Sequence, residues 1–223
     1  MVRSESGFTL IELMIVATIV SIVAGIAVPN LISSRAVANQ RVVVSSMKSV
    51  LLAQTQSQLR AVADGDGDGR GEALALDQLA GLRALPNTSE TLQPPLLAQS
   101  LGTIDPSGIS RSRGYLMALY LPDAAGNALL ATSANASSVD PDQAELAWSC
   151  VAWPMTRGHT GNAAFFVNQV GEVLIAPQAN YSGVASVPPG GAALVGVGAN
   201  TLVGGSLAVD VPGADGNVWH VSR

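Results

Sequence analysis

The run from Gly7 to Val28, GFTLIELMIVATIVSIVAGIAV, constrains this chain more than any other stretch, because Glu12 is its one charged residue. An α-helix rises about 1.5 Å per residue, so about 20 apolar residues in helical form cross the hydrocarbon of a bilayer. The run therefore predicts a membrane-length helix. A lone carboxylate inside such a helix is costly unless it meets a partner. Glu12 needs a reason to be there.

From Asn30 to Ala63 the chain holds neither glycine nor proline, and apolar residues recur at helical spacing through Leu31, Val37, Val44, Met47, Leu51, Leu59 and Val62. This predicts a stem that continues the first helix, from about Phe8 to Ala63, with Gly25 and Pro29 as the points where it would kink or melt. Its polar face would carry Gln40, Ser45, Gln54 and Gln58, and its other face would pack on the rest of the chain. Arg35, Arg41, Lys48 and Arg60 make this stem basic, whereas the chain from Asp64 onward is net acidic. Opposite signs on two parts of one subunit suit packing between subunits, and equally describe two solvated faces. The overall net charge of −5 argues against a general nucleic-acid binder.

The leader Met1 to Gly7, MVRSESG, is short and polar. A secretory signal would have a shorter apolar core and a cut after small residues. Gly25-Ile26-Ala27 offers such a cut, with Val28 as the new terminus, but Glu12 and the continuation past Pro29 oppose it. Arg35 and Arg41 just beyond the span also run against the positive-inside count for an exported C-terminus. The segment Gly7-Phe8-Thr9-Leu10-Ile11-Glu12-Leu13, with the apolar span and Pro29 behind it, resembles the type III leader of type IV pilins and type II secretion pseudopilins. That resemblance implies cleavage by a prepilin peptidase between Gly7 and Phe8 and methylation of Phe8. It also implies pairing of Glu12 with the terminal amine of a neighbouring subunit. An amine and a carboxylate, each unfavourable alone in apolar surroundings, become tolerable together, so the pairing would favour assembly and fix its register.

The helix is expected to end at Asp64-Gly65-Asp66-Gly67-Asp68-Gly69-Arg70-Gly71-Glu72. Aspartates at positions one, three and five with glycine at six make the front half of an EF-hand-like calcium loop. Position nine is Glu72, but position twelve is Ala75, so the bidentate acid is missing unless Glu72 or Asp77 replaces it. The expected ligand region is Asp64, Asp66, Asp68, Arg70, Glu72 and Asp77, with Ca2+ as the cofactor. The plain alternative is an acidic glycine linker.

Beyond it, Leu76 to Leu82 suggests a short helix and Leu85 to Ser112 a long connection. Tyr115 to Leu121, Glu145 to Trp153, Ala163 to Asn168 and Glu172 to Ala176 read as strands, the last two joined by a hairpin through Gln169-Val170-Gly171. Gly114-Tyr115, Trp153-Pro154 and Phe165 to Gly171 are also similar to segments of larger bacterial pilin-like proteins. Residues 182–223 turn rich in glycine, alanine and valine, and partial ordering as added strands is expected, with Leu207 to Val211 and Val218 to Val221 as a terminal hairpin. The expected fold class is α+β, a long N-terminal helix packed on an antiparallel sheet. Its segments are a leader (1–7), a transmembrane and assembly helix (8–28), an amphipathic stem (29–63), a sheet domain (64–181) and the C-terminal extension (182–223).

One cysteine, Cys150, excludes an internal disulfide. Cys150, His159 and His220 form no nucleophile-elbow, phosphate-loop or zinc pattern, so catalysis is not expected. By resemblance, the chain is a structural subunit of a type IV pilus or of a type II secretion pseudopilus. It would sit in the inner membrane before joining itself or other pilin-like subunits in a periplasmic or extracellular helical filament. The other reading is a membrane-tethered binding module of the cell envelope that does not polymerise.

Overall fold

A computed structural model describes residues 7–222, so the leader lies, apart from Gly7, outside the described residues. The architecture is one long N-terminal helix against an antiparallel sheet, an α+β arrangement. Helix α1 runs unbroken from Leu10 to Leu59, about 75 Å at the helical rise. It passes through both Gly25 and Pro29. These two are four residues apart, so the carbonyl that faces the proline ring and loses its N–H donor is that of Gly25.

The two halves of α1 have opposite environments. Up to Arg35 nearly every residue is exposed, including Leu10, Ile15, Ile19, Ile22 and Ile26. From there Ala36, Val43, Met47, Val50, Ala53, Gln54 and Ser57 are buried, a stripe at spacings of three, four and seven. The stripe is rotated from the one expected. Met47 is on both, Val44, Leu51 and Val62 flank it, and Leu31, Val37 and Leu59 stay exposed. Gln54, expected on the polar face, is fully buried, because its amide donates 2.7 Å to the Leu74 carbonyl and accepts 3.0 Å from the Leu74 N–H. That pair of bonds satisfies the side chain as a neighbouring strand would.

The helix stops four residues before the expected Ala63. Val62 N–H donates to the Ser57 carbonyl and Ala61 N–H to that of Gln58, with Ala61 at a φ of 45°. This is a Schellman closure in which alanine takes the left-handed position that glycine usually fills. Nothing in the local composition marks it.

The sheet is built from β1 (Ile109–Ser112), β2 (Tyr115–Pro122), β3 (Ala128–Leu130), β4 (Ser149–Pro154), β5 (Ala164–Asn168) and β6 (Leu174–Ala176). A last strand, His220–Val221, pairs with β6 at the edge. The spatial order is β1, β2, β4, β5, β6 and then the last strand, with β3 beside the far half of β2. Short helices α2 (Leu76–Leu79), α3 (Gln99–Gly102) and α4 (Pro141–Leu146) fill the connections. The strand expected from Glu145 is thus corrected: Asp140 caps α4 by accepting from Gln143 N–H and Pro141 starts it, which keeps Glu145 helical. The strand begins at Ser149. The hairpin between β5 and β6 forms as expected, with Gly171 at a φ of 96°.

Both faces of the sheet are buried. Tyr115, Met117, Leu119 and Leu121 of β2, with Cys150, Phe165 and Val167, join the core under α1. Leu116, Ala118 and Tyr120, with Val151, Trp153 and Phe166, point into a second core. The covering of that second face comes from residues 182–222. Ala192, Ala193, Leu194, Leu202, Ala208 and Trp219 are all buried there, and Trp219 meets Phe166 edge-on at 6.0 Å. Three hydrogen bonds tie the cover to the strands: Tyr120 Oη to the Pro188 carbonyl, Ser149 Oγ to that of Gly190 and Trp153 Nε1 to that of Gly183. The glycines allow the approach, since a Cβ on Gly190 would stand 2.5 Å from Ala128 and 2.8 Å from the Tyr120 ring.

The expected terminal hairpin is also corrected. The two segments touch through bridges at Val209–Trp219 and Pro212–Val218, but their ladders lie elsewhere. Ser206–Leu207 pairs with Leu194–Val195, and His220–Val221 pairs with β6. Asp215 holds the turn, accepting from Tyr181 Oη, Asn217 and Trp219 Nε1.

If the C-terminal segment is a true second core layer, Trp219→Ala should cost about 3–5 kcal/mol, whereas the exposed Val218→Ala should stay within about 0.5 kcal/mol. Urea unfolding of the full chain in detergent, followed by circular dichroism, measures both. A loss for Trp219→Ala no larger than that of Val218→Ala would contradict the two-core description.

Candidate functional site

Two places carry the residues singled out in the sequence. The first is the start of α1. Thr9 is its N-cap and Glu12 its third residue, and together they close a capping box. Glu12 Oε2 accepts from Thr9 N–H at 2.8 Å and from Thr9 Oγ1 at 2.7 Å, while Glu12 N–H donates to Thr9 Oγ1 at 3.3 Å. The acid therefore also stands where the helix dipole favours negative charge. Gly7 and Phe8 precede the cap and are exposed, Phe8 at 80%. A Cβ on Gly7 would meet nothing within 4 Å. Nothing among the described residues requires a glycine there.

Along the following helix the apolar side chains are open to their surroundings, and this is the one helix among the described residues long and apolar enough to cross a membrane. Side-chain hydroxyls within it are satisfied locally, Thr18 by the Met14 carbonyl and Ser21 by that of Ala17. Glu12 is the single ionisable group on that surface.

The second place is the acidic loop after α1. Asp64, Asp66 and Asp68 each offer an oxygen within 4.8 Å of the others. Asp64 caps the loop by accepting from Gly67 and Gly69 N–H, Asp66 accepts from Asp68 N–H, and Asp68 from Arg70 N–H. The remaining expected ligands lie apart. Asp77 is buried against Arg83, whose Nε donates to it at 2.7 Å. Arg70 reaches out to Glu145, at 3.6 Å. Glu72 turns inward, accepts from Gly65 N–H and lines a cleft of about 390 Å3 with Gln78, Arg83, Leu121 and Val139. Burial, with Asp66, Asp64 and Asp68 nearby, holds the Glu72 carboxyl above the usual carboxylate range, against the pull of the Gly65 hydrogen bond.

Two acids not singled out in the sequence do approach the loop. Asp66 shares a second cluster with Asp142 and Glu145, again with oxygens within 4.8 Å. The Asp66 carboxylate facing Asp142 pushes the Asp142 carboxyl up, and burial does the same for Glu145, helped by Asp68. The signal for them was the dipeptide Asp140-Pro141, a helix start that sets Asp142 and Glu145 three apart on one helical face.

Cys150 is fully buried in β4, and burial pushes its thiol far up. It packs among apolar neighbours, as a small hydrophobic residue does.

Comparison with known proteins bears on the first place. Residues 2–28 match the prokaryotic N-terminal methylation motif. Over 57 residues the chain is 40% identical to a Thermus thermophilus protein described as "Type IV wide pilus major component PilA4"; this stretch is 26% of the present chain and 44% of that protein. The chain thus spans less than half the length of the curated relative it matches. No solved structure matches it.

The raised carboxyl of Glu72 has a consequence for stability. A folded-state pKa above the unfolded one means that the ionised group opposes folding at neutral pH and ceases to do so as pH falls through the folded pKa. Glu72→Gln keeps an acceptor for Gly65, so in chelator at pH 7 it should melt above the parent. The gap should close as pH approaches the ordinary glutamate value of about 4.3. A gap independent of pH, or a variant that melts lower at pH 7, would refute the assignment.

Proposed function

We propose that this chain, which carries the N-terminal methylation motif of prokaryotic prepilins, is the precursor of a structural filament subunit of the type IV pilus or type II secretion pseudopilus kind. The observation that carries the reading is the bare front half of α1. A subunit that kept Phe8 to Val28 in water would expose a continuous apolar rod, and soluble chains rarely carry patches of that size. Two media suit the rod in turn: the bilayer before assembly and the packed helices of neighbouring subunits after it.

In this reading a prepilin peptidase cuts between Gly7 and Phe8, where the backbone is exposed and precedes the helix. Phe8 then supplies the new amino terminus and receives the methyl group. Glu12 faces the amine of an adjacent subunit, exchanging solitary charges for a pair. The sheet domain, closed on both faces by its own chain, rides on the rear half of α1 and forms the outside of the filament. The chain's role is mechanical and not catalytic.

Glu12→Ala should abolish incorporation into sheared filaments while leaving the protein in the membrane fraction. Mass spectrometry of assembled parent protein should find an N-terminus at methylated Phe8. Normal incorporation of the alanine variant would remove the pairing role, and a mature terminus at Val28 would replace the whole reading with that of a secreted protein. Correct processing at Phe8 without any filament would favour a tethered, non-polymerising module.

A further inference from the structure

The acid absent from position twelve of the Asp-Gly loop has a structural replacement. Glu145 lies in α4, beyond β1, β2 and β3 in the sequence, yet shares a cluster with Asp66 and Asp142. Its side chain is only 7% exposed. Its Oε1 is buried and has no hydrogen-bond partner, while the Arg70 guanidinium stands 3.6 Å from the other oxygen on a side chain 71% exposed. A buried carboxylate oxygen without a donor is unfavourable by kcal/mol amounts, and a polar group in that state calls for a partner. No donor of the chain supplies one among the described residues.

A divalent cation would. Two oxygens bound to one calcium ion at about 2.4 Å each lie no more than about 4.8 Å apart, and calcium accepts six to eight oxygens in flexible geometry. Asp66 belongs both to the loop cluster and to the cluster with Asp142 and Glu145, each within that separation. Like charges gathered this closely repel unless a cation sits among them. We propose that Asp66, Asp142 and Glu145 form a site for a divalent cation of the calcium class, joined through Asp66 to the Asp64–Asp66–Asp68 cluster of the loop, and that Glu145 supplies the carboxylate that position twelve lacks. Glu72 and Asp77 take no part, since neither belongs to either cluster: Glu72 turns to Gly65 and Asp77 to Arg83.

The site would clamp the loop onto α4. That helix is already fastened to the stem, by Gln58 Nε2 donating to the Glu145 carbonyl at 3.1 Å, and to the segment after the loop by Ala73 N–H donating to the Ala144 carbonyl at 3.0 Å. The cation would thus join the foot of α1 to the sheet connection between β3 and β4. This reading stands apart from the filament proposal, because the site forms within one chain.

The test is calorimetric titration and thermal melting of the full chain in detergent micelles, stripped with chelator, against CaCl2, MgCl2 and NaCl of matched ionic strength. Calcium should bind with measurable heat and raise the melting temperature, with magnesium weaker and sodium inert. Glu145→Gln and the exposed Asp142→Asn should each weaken calcium binding at least about tenfold, because the charge and number of ligands set calcium affinity. Both should melt no lower than the parent in chelator, since each relieves repulsion. Glu72→Gln should bind as the parent does. No heat and no shift with calcium, or equal shifts with all three salts, would overturn the site. So would a loss of binding in Glu72→Gln that Asp142→Asn does not share, which would return the ligand set to the loop alone.

Discussion

One helix has to satisfy two environments, and everything else in the molecule follows from where it changes over. Ahead of Arg35 no side chain of α1 is buried; from Ala36 onward one stripe of them is the floor of a core. A helix cannot be half stable in the usual sense, because its ladder of hydrogen bonds is cooperative. The rear half is anchored by burial of Val43, Met47, Val50 and Ala53 and by the paired bonds of Gln54 to Leu74. The front half is held by its own hydrogen bonds and by the Thr9–Glu12 cap. It must find its packing outside the chain.

That demand explains why the sheet is closed so thoroughly. A domain whose anchor already presents an apolar rod cannot also leave a sheet face open without inviting association at the wrong surface. The helix covers one face. The other is covered by the last forty or so residues, whose alanines and glycines let backbone lie directly on the rings of Tyr120 and Trp219. With few aromatic residues in the chain, close approach of small ones replaces the large side chains that usually fill such a layer.

The same fact marks what could be read in advance. The front of α1, its lone acid and the β5–β6 hairpin were legible because each rests on local pattern: apolar length, one charge, a turn glycine. The loose alternation of Tyr115 to Leu121 was legible too, but its meaning was not, since a strand buried on both faces loses its period and the second layer is far away in sequence. The buried stripe of the stem was misplaced because Gln54 and Ser57 are polar by composition, yet Gln54 is satisfied by Leu74 and the small Ser57 is packed inside without a side-chain partner among the described residues. The end of α1 was missed because alanine occupies the left-handed position. In the acidic loop the three aspartates were read correctly as neighbours, whereas Asp142 and Glu145 reach them only through the fold. Glu72 and Asp77, close in sequence, are turned elsewhere by Gly65 and Arg83.

Glu12 is the residue on which the two lives of the helix meet. Both hydrogen bonds its carboxylate accepts, from Thr9 N–H and Thr9 Oγ1, go to one oxygen, Oε2, and among the described residues Oε1 accepts none. The cap lowers the cost of carrying a carboxylate at the edge of an apolar span, because a hydrogen-bonded acid at a helix N-terminus is better off than a bare one. It does not use up the group's capacity. An amine arriving from a neighbouring chain could meet Oε1 without breaking the cap, so the subunit need not give up its own helix start to gain a partner. A residue placed one turn deeper would lack the cap and be far more costly while waiting; one placed before Thr9 would lie outside the apolar rod, where pairing with an amine is weak because water screens it. The third position of α1 is where a carboxylate can be both stable alone and strongly attracted to a charge of opposite sign.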